Sequence, residues 1–480
     1  MNAPGNNWDG ASLHDIAHTK RFLERLQGDP GFRREARGVP SARQGLLETV
    51  GIELRATDLQ PFWELLDARC DTEWTSYGVL DRFRQQPLGE LWDAWTRNRF
   101  DLYKVAESER VPSGDQRLRS WRRRRLATAR SESISGDEMI VSPLLAFELS
   151  KGCSTQCWFC AWDPPRLQSY LPCTPENRRL WSEVLSAAWD LFGPGCRTAI
   201  CYHATEPTDN PDYWEFVRDV REVFGAHPHT TVARPLKDLA WTREMLRLRN
   251  ASPGADDRFS ILTLTSLHEV HATFPAEVLL HVSLVLQNKG ALTSKGRVGR
   301  TLAAVGRLEA EESLVCEESF RLPISLRTIE CTCGYLVNMV DRSVRLISPC
   351  NASARWPLGY IVHAEGTFRD AVEFRDVILR SIDECMRDHL AEGDRLAFRE
   401  DLAYHAGPDG FVLTSAYREH AANGNPHIAL LGELVRGGHL TTGQVTERLI
   451  RDGMSALKAT SWLQRLYQGG LLADAGTGTS

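Results

Sequence analysis

The sequence predicts an α/β fold: a partial (βα)6 barrel, open on one side, between an N-terminal helical domain and a smaller C-terminal domain. Two observations predict it. Apolar residues recur at three- and four-residue intervals through residues 16 to 105, and from about residue 140 short β-rich runs alternate with helical segments, as in βα units on a parallel sheet. At 480 residues the chain has room for two or three packed domains, and 42% hydrophobic with 25% charged residues excludes wholesale disorder.

The helical period of the first region runs through Phe22, Leu23 and Leu26, then Leu46, Leu47 and Val50, then Leu59, Phe62, Trp63 and Leu66. Asp29-Pro30-Gly31 and Gly51 interrupt it. The arginine-rich run from Arg117 to Arg130 reads as a solvated helix face and linker. Candidate strands follow at 144–149, 198–203, 230–235, 259–265, 279–286 and 322–329. Between the first two, Thr174 reads as an N-cap and Pro175 as a first-turn residue, with Leu180, Trp181, Val184, Leu185, Ala188 and Leu191 on one face. Residues 333–347 read as two strands joined at Asp341-Arg342, and the last region as short strands at 396–403 and 410–414 followed by helices through Trp462 and Leu466. These shifts divide the chain into 1–135, 136–330, 331–392 and 393–480.

Charge narrows the partners. With 57 Lys+Arg against 63 Asp+Glu the formal net charge is −6, so no basic field draws the chain to nucleic acid or to an anionic membrane. The N-terminus lacks a basic, then apolar, export signal, and no apolar stretch approaches the ~20 residues of a membrane helix. The expectation is a soluble, cytoplasmic protein. Twelve cysteines are too few for a disulfide scaffold of this length, so clustered cysteines read first as metal or redox chemistry.

One cluster stands out. Directly after the first strand comes Cys153-Ser154-Thr155-Gln156-Cys157-Trp158-Phe159-Cys160, a CxxxCxxC triplet expected by chance about 0.008 times in such a chain. Three thiolates on one short loop can each hold an iron of a 4Fe-4S cube and leave the fourth iron open, whereas structural zinc wants a fourth nearby ligand and usually a CxxC pair. The second strand leads into His203-Ala204-Thr205-Glu206-Pro207.

These residues resemble the radical S-adenosylmethionine (SAM) superfamily, whose partial (βα)6 barrel carries this motif after strand one. The resemblance implies that Cys153, Cys157 and Cys160 bind a 4Fe-4S cluster, that its open iron chelates SAM, and that one-electron reduction yields a 5′-deoxyadenosyl radical. Phe159 takes the aromatic position near the adenine. Glu206-Pro207 resembles the family's Gly-Gly-Glu-Pro loop, with Ala204 and Thr205 in place of the glycines, so Glu206 would accept from the SAM ammonium. Arg234 and Ser260 stand where the family contacts the SAM carboxylate and ribose. The bland alternatives are a surface-turn glutamate and a strand-capping arginine.

Finer strings, among them FLERLQGDP, CYHATEPTDNPDYWEF, LVLQNKG and CGYLVNMVDRSVRLISPCN, resemble proteusin-type radical SAM peptide epimerases over about residues 16 to 390. That resemblance implies conversion of L- to D-residues in a ribosomally made precursor peptide, with a flavodoxin- or ferredoxin-type one-electron reductant. Inversion of a planar Cα radical needs a hydrogen atom from the opposite face, and a cysteine thiol is the natural donor. Cys350 leads, with Cys333 and Cys331 as runners-up; the alternatives are ordinary buried cysteines or ligation of a second cluster by Cys316, Cys331, Cys333 and Cys350. The remaining readings are another radical peptide modification, such as C-methylation or thioether formation, and a catalytically quiet peptide-binding partner. Residues 395–475 resemble the winged-helix, PqqD-like element that binds leader peptides by strand addition. Residues 21–52 resemble a leader-type domain, with a plain helical bundle as the alternative. His268-Glu269-Val270-His271 departs from the zincin spacing and reads as an ordinary helix start.

Overall fold

The computed structural model describes residues 8–68, 77–108, 115–131, 142–250, 257–293, 295–296, 298–302, 324–325, 330–415 and 418–473. Seven helices come first: α1 (Gly10–Gly28), α2 (Pro30–Ala36), α3 (Arg43–Thr49), α4 (Gln60–Asp67), α5 (Tyr77–Arg84), α6 (Pro87–Ser108) and α7 (Gln116–Ser131). Phe22, Leu26, Phe62 and Trp63 of the stripe that the helical spacing predicts, joined by Phe32 and Phe83, form the core shared by α1–α6, whereas α7 places Leu118 and Trp121 in the core of the central sheet. Asp29 caps the break between α1 and α2 by accepting from Phe32 N.

The middle of the chain alternates as expected. β1 (Leu145–Glu148), the hairpin β2 (Ser150–Lys151) and β3 (Ser169–Tyr170), α8 (Pro175–Phe192), α9 (Tyr213–Phe224), β4 (Thr231–Val232), α10 (Leu239–Asn250), β5 (Asp257–Ile261), α11 (Leu264–Thr273) and β6 (Val282–Leu286) follow in order. Thr174 caps α8 as anticipated, taking the Asn177 N–H. β4, β5 and β6 are parallel, and single parallel bridges from His229 to Ile200 and from Ile200 to Ala146 carry the wall on to β1. β7 (Lys295–Gly296) pairs with β8 (Ile324–Ser325), and β9 (Gly334–Asn338) lies parallel to β1. β10 (Ser343–Pro349) and β11 (Tyr360–Thr367) extend that sheet antiparallel, backed by α12 (Ala371–Cys385). This is a mixed α/β fold with several sheets, and the described strands do not close into a barrel.

Several strand expectations change: 230–235 contracts to Thr231–Val232 and 279–286 to Val282–Leu286. Gly193-Pro194-Gly195 winds a 3-10 turn to Thr198, leaving a single bridged residue, Ile200, where a strand 198–203 was predicted. The strand at 259–265 stops at Ile261, because Thr263 caps α11 instead. Only β8 of the stretch 322–329 lies within the described residues.

Side-chain alternation gives the wall two faces. Leu145, Phe147, Tyr335, Val337, Phe259 and Ile261 join the outer core against the helices, whereas Ala146, Ile200, Tyr202, Leu336 and Tyr360 form an inner cluster. The N-terminal helices are stitched to the β6 end: Asn288 Nδ2 donates to Gly28 O at 2.7 Å, Arg33 to Gly290 O at 2.7 Å, and His271 meets Glu24 at 3.0 Å. His268 and His271 therefore sit along α11 as docking residues, not at a helix start.

The chain ends in a three-stranded antiparallel meander, β12 (Ala403–Gly407), β13 (Gly410–Thr414) and β14 (Glu419–Asn423), then α13 (Pro426–Arg436), α14 (Thr442–Arg451) and α15 (Ala456–Gln468). The predicted strand 396–403 is shifted: it forms a bridge at Phe398, its last residue Ala403 opens β12, and β14 was not anticipated. No described helix is long and apolar enough to cross a membrane.

Candidate functional site

All three motif cysteines lie on the single loop between β2 and β3, held at its base where Ser150 faces Tyr170. Cys153 N donates to Pro165 O at 3.0 Å, and Gln156 Nε2 to Cys153 O at 2.8 Å. Gly152 has φ +82°, and a Cβ there would stand 2.4 Å from Arg166 O, so this entry to the loop requires glycine.

A second segment braces the loop from behind. Gly299, at φ +56°, lies so close that a Cβ would come within 2.1 Å of Ala161 O. Arg300 N donates to Cys160 O at 2.9 Å, while its guanidinium reaches Pro164 O at 2.6 Å, Gln156 Oε1 at 3.0 Å and Asp163 Oδ1 at 2.5 Å. Thr301 Oγ1 holds Phe159 O at 3.0 Å, and the Phe159 ring packs edge-on to Trp158 with centroids 5.3 Å apart. Gly299-Arg300-Thr301 belongs to no motif and was missed in the sequence; a glycine followed by an arginine carries no signal about a partner over a hundred residues away.

The thiols are free and partly exposed, and desolvation raises each. Burial pushes Cys157 up to about 12, with Cys160, Cys153 and Glu206 as adjacent negative neighbours. Three thiols on one short loop fit a polynuclear centre, in which each thiolate takes its own metal ion, better than a single zinc, which wants a fourth protein ligand.

Glu206 stands beside this loop. It is 2% exposed; Oε2 accepts from Ala233 N and Oε1 from Thr208 Oγ1, both at 2.9 Å. Burial pushes its carboxyl up to about 7, and Asp209 adds to the rise while Arg234 opposes it. Arg234 donates to Ser154 O at 3.3 Å, and Asp209 takes the Ser154 N–H at 2.8 Å and hydroxyl at 2.5 Å. Cys153, Cys157, Cys160, Glu206 and Arg234, scattered over 82 positions, are brought together. Ser260 lies farther along the wall, on the face of β5 opposite the core residues Phe259 and Ile261.

The candidate donor thiols fall in different places. Cys333 is fully buried in the outer core, and its carbonyl accepts from Arg122 at 2.6 Å. Cys331 borders the inner side instead, where Glu330, Arg258 and Tyr202 are its charged or polar neighbours and burial pushes its thiol up to about 12. Cys350 N donates to Gly359 O at 3.0 Å, and the same turn offers Pro357 O to Gly299 N at 2.9 Å, which ties the end of β10 to the brace of the cysteine loop. Cys316, the fourth member of the alternative second-cluster set, lies outside the described residues.

A family model of the protein y4wI C-terminal domain matches residues 396–470. An uncharacterized y4wI protein of Sinorhizobium fredii (strain NBRC 101917 / NGR234) is 34% identical over 463 residues, covering 96% of this chain and 87% of that one. The chain belongs to the y4wI family. No solved structure matches it. The domain that the y4wI family model delimits is the meander β12–β14 with α13–α15, whose core is built from Phe411, Leu413, Ile428, Leu431, Leu449 and Leu463.

In this y4wI family chain the arginine-rich α7 is not the solvated face its composition predicts. Arg122 and Arg124 are buried; Arg122 also donates to Ser142 O, and Arg124 lies 4.0 Å over the Tyr467 ring of α15. Ser131, at its end, is held by Arg399 at 3.1 Å and Ser415 at 2.5 Å. The helix bolts the C-terminal domain to the central sheet.

Among the described residues another possible ligand group joins His14, His18 and Glu277. His18 Nδ1 accepts from Glu53 N at 3.0 Å, which leaves the proton on Nε2, facing Glu277 at 3.5 Å. A metal-bound histidine ordinarily donates from its second nitrogen. These groups form an ion-pair cluster, not a metal site.

Proposed function

We propose that the chain is a radical SAM peptide epimerase that converts L- to D-residues in a ribosomally synthesised precursor peptide. The observation that carries the proposal is the convergence of Cys153, Cys157 and Cys160 with Glu206 and Arg234 at one end of an open parallel sheet. Cys153, Cys157 and Cys160 would hold a 4Fe-4S cluster, with Arg300 and Gly299 fixing the loop around it. When bound, the cluster supplies the electron that splits SAM and so generates the hydrogen-abstracting radical.

The chain's own residues do the rest. Glu206, aligned by Ala233 N and Thr208, would accept from the SAM ammonium, Arg234 would hold its carboxylate, and Phe159 and Ser260 would serve the nucleoside. After the Cα hydrogen leaves the peptide, a thiol S–H gives its hydrogen atom to the opposite face. The resulting sulfur radical regains the thiol by taking one electron from the external reductant and one proton from solvent. Cys350 is the proposed donor because its turn shares Pro357 with the brace of the cysteine loop. A second reading, Cys331, is favoured by its place on the inner side, beside Tyr202 and Arg258. The C-terminal meander would bind the leader by strand addition at an exposed edge.

The test is anaerobic reconstitution with iron and sulfide, then incubation with SAM, reductant and the precursor peptide encoded beside the enzyme. Formation of 5′-deoxyadenosine together with D-residues after acid hydrolysis supports the reading. S-adenosylhomocysteine as the product points to methyl transfer, and absence of both iron and SAM cleavage points to a quiet peptide-binding partner.

A further inference from the structure

The inner side of the sheet holds a buried charged group that the proposed chemistry does not use. Glu330, His203 and Glu148 are each at most 5% exposed. Glu330 receives three N–H groups from three separate parts of the chain: Trp162 Nε1 and His203 Nε2 at Oε2, at 2.7 and 2.6 Å, and Thr332 N at Oε1, at 2.6 Å. Trp162 belongs to the cysteine loop, two residues after Cys160. His203 stands three residues before Glu206. Thr332 follows Cys331.

We infer that Glu330 is a positioning residue that sets the cysteine loop in register with the Glu206 loop and with the Cys331 segment. The inference rests on the reading of the cysteine loop as a cofactor site. Glu148 completes the group, 3.5 Å from His203 Nδ1 and itself accepting from Asn338 Nδ2 at 2.9 Å, so the imidazole is held between two carboxylates on the wall. The three donors explain why a carboxylate stands here. A glutamine keeps one acceptor oxygen and turns the other corner of the group into a donor, so one side must face an N–H with an N–H. In a space closed to water that conflict moves a backbone segment or a side chain, because a buried unpaired donor is strongly disfavoured. Loss of the Trp162 or the His203 contact uncouples the cysteine loop from the Glu206 loop, whereas the Thr332 contact fixes the carboxylate within its own segment.

The experiment compares Trp162→Phe and Glu330→Gln with the wild type, all reconstituted anaerobically in the full chain. Trp162→Phe removes one N–H and keeps an aromatic ring, so it keeps the test open if Glu330→Gln fails to fold. Iron content is expected to stay near the wild-type value. The change that SAM produces in the electron paramagnetic resonance spectrum of the reduced cluster should shrink, and the apparent Kd for SAM should rise about tenfold. The ratio of 5′-deoxyadenosine to D-residue should rise several-fold as SAM cleavage uncouples from inversion. Wild-type spectral change, wild-type affinity and a wild-type ratio in Trp162→Phe overturn the assignment of Glu330. A wild-type chain that assembles no cluster overturns the reading of the site itself, which is a separate result.

Discussion

At the level of single residues, the chemistry-bearing thiols divide by the side of the sheet they occupy. The CxxxCxxC spacing was legible because ligand spacing is local. The surroundings of Cys331 and Cys333 were not, since two cysteines one residue apart read alike until β9 assigns one to the outer core. Replacing Cys350 by Ala should leave SAM cleavage intact and abolish D-residue formation, while Cys333→Ser should chiefly lower the melting temperature. If Cys331→Ala alone shows the loss of inversion, the donor is Cys331. His203 offers a pH test. Burial alone would lower its pKa, but Glu330 and Glu148 raise it from the ordinary 6.5 to about 9. A raised folded-state value means that the stabilisation is fully present below the ordinary value and is lost as pH rises through about 9. Thermal melts should therefore show stability falling across that window in the wild type and less so in His203→Gln; equal slopes in the two proteins contradict the coupling.

At the level of elements, close backbone contact decides where the cysteine loop sits. Gly152→Ala and Gly299→Ala each force a Cβ into a carbonyl at a positive φ, so both should lower iron retention after reconstitution, measured as iron per chain. Full iron retention in both variants contradicts the brace. Helix α8 was readable in full because its cap, proline and apolar stripe agree. Trp181 is fully buried in the outer core, with its indole N–H on Phe216 O at 3.1 Å; Trp181→Ala should cost about 3–5 kcal/mol in chemical denaturation. The expected strand at 198–203 is short for a physical reason: its alternation is genuine, with Ile200 and Tyr202 facing inward and Ala199 and Cys201 outward, but after the preceding 3-10 turn only Ile200 bridges to its neighbours, Ala146 and His229.

At the level of the whole molecule, the N-terminal, central and C-terminal cores are joined by polar seams. The sequence pattern showed the cores and not the seams, because the partners of Arg33, Arg122, Arg124 and His271 lie far away in the chain. Charge alone cannot distinguish an arginine that faces water from one that covers a tyrosine ring or a carbonyl. α7 ties the C-terminal domain to the central sheet, so on the proposed function a precursor with its leader should turn over with a KM at least tenfold below that of the core peptide alone, at similar kcat. Equal KM values contradict a leader-binding role for that domain. The central claim, inversion through Cα hydrogen removal and thiol return, is tested most directly by anaerobic turnover of the precursor peptide in deuterated water. The expected result is a gain of about one mass unit for each D-residue formed, with the label at Cα, because the exchangeable thiol carries the deuterium. D-residues without label, or label without inversion, would contradict it.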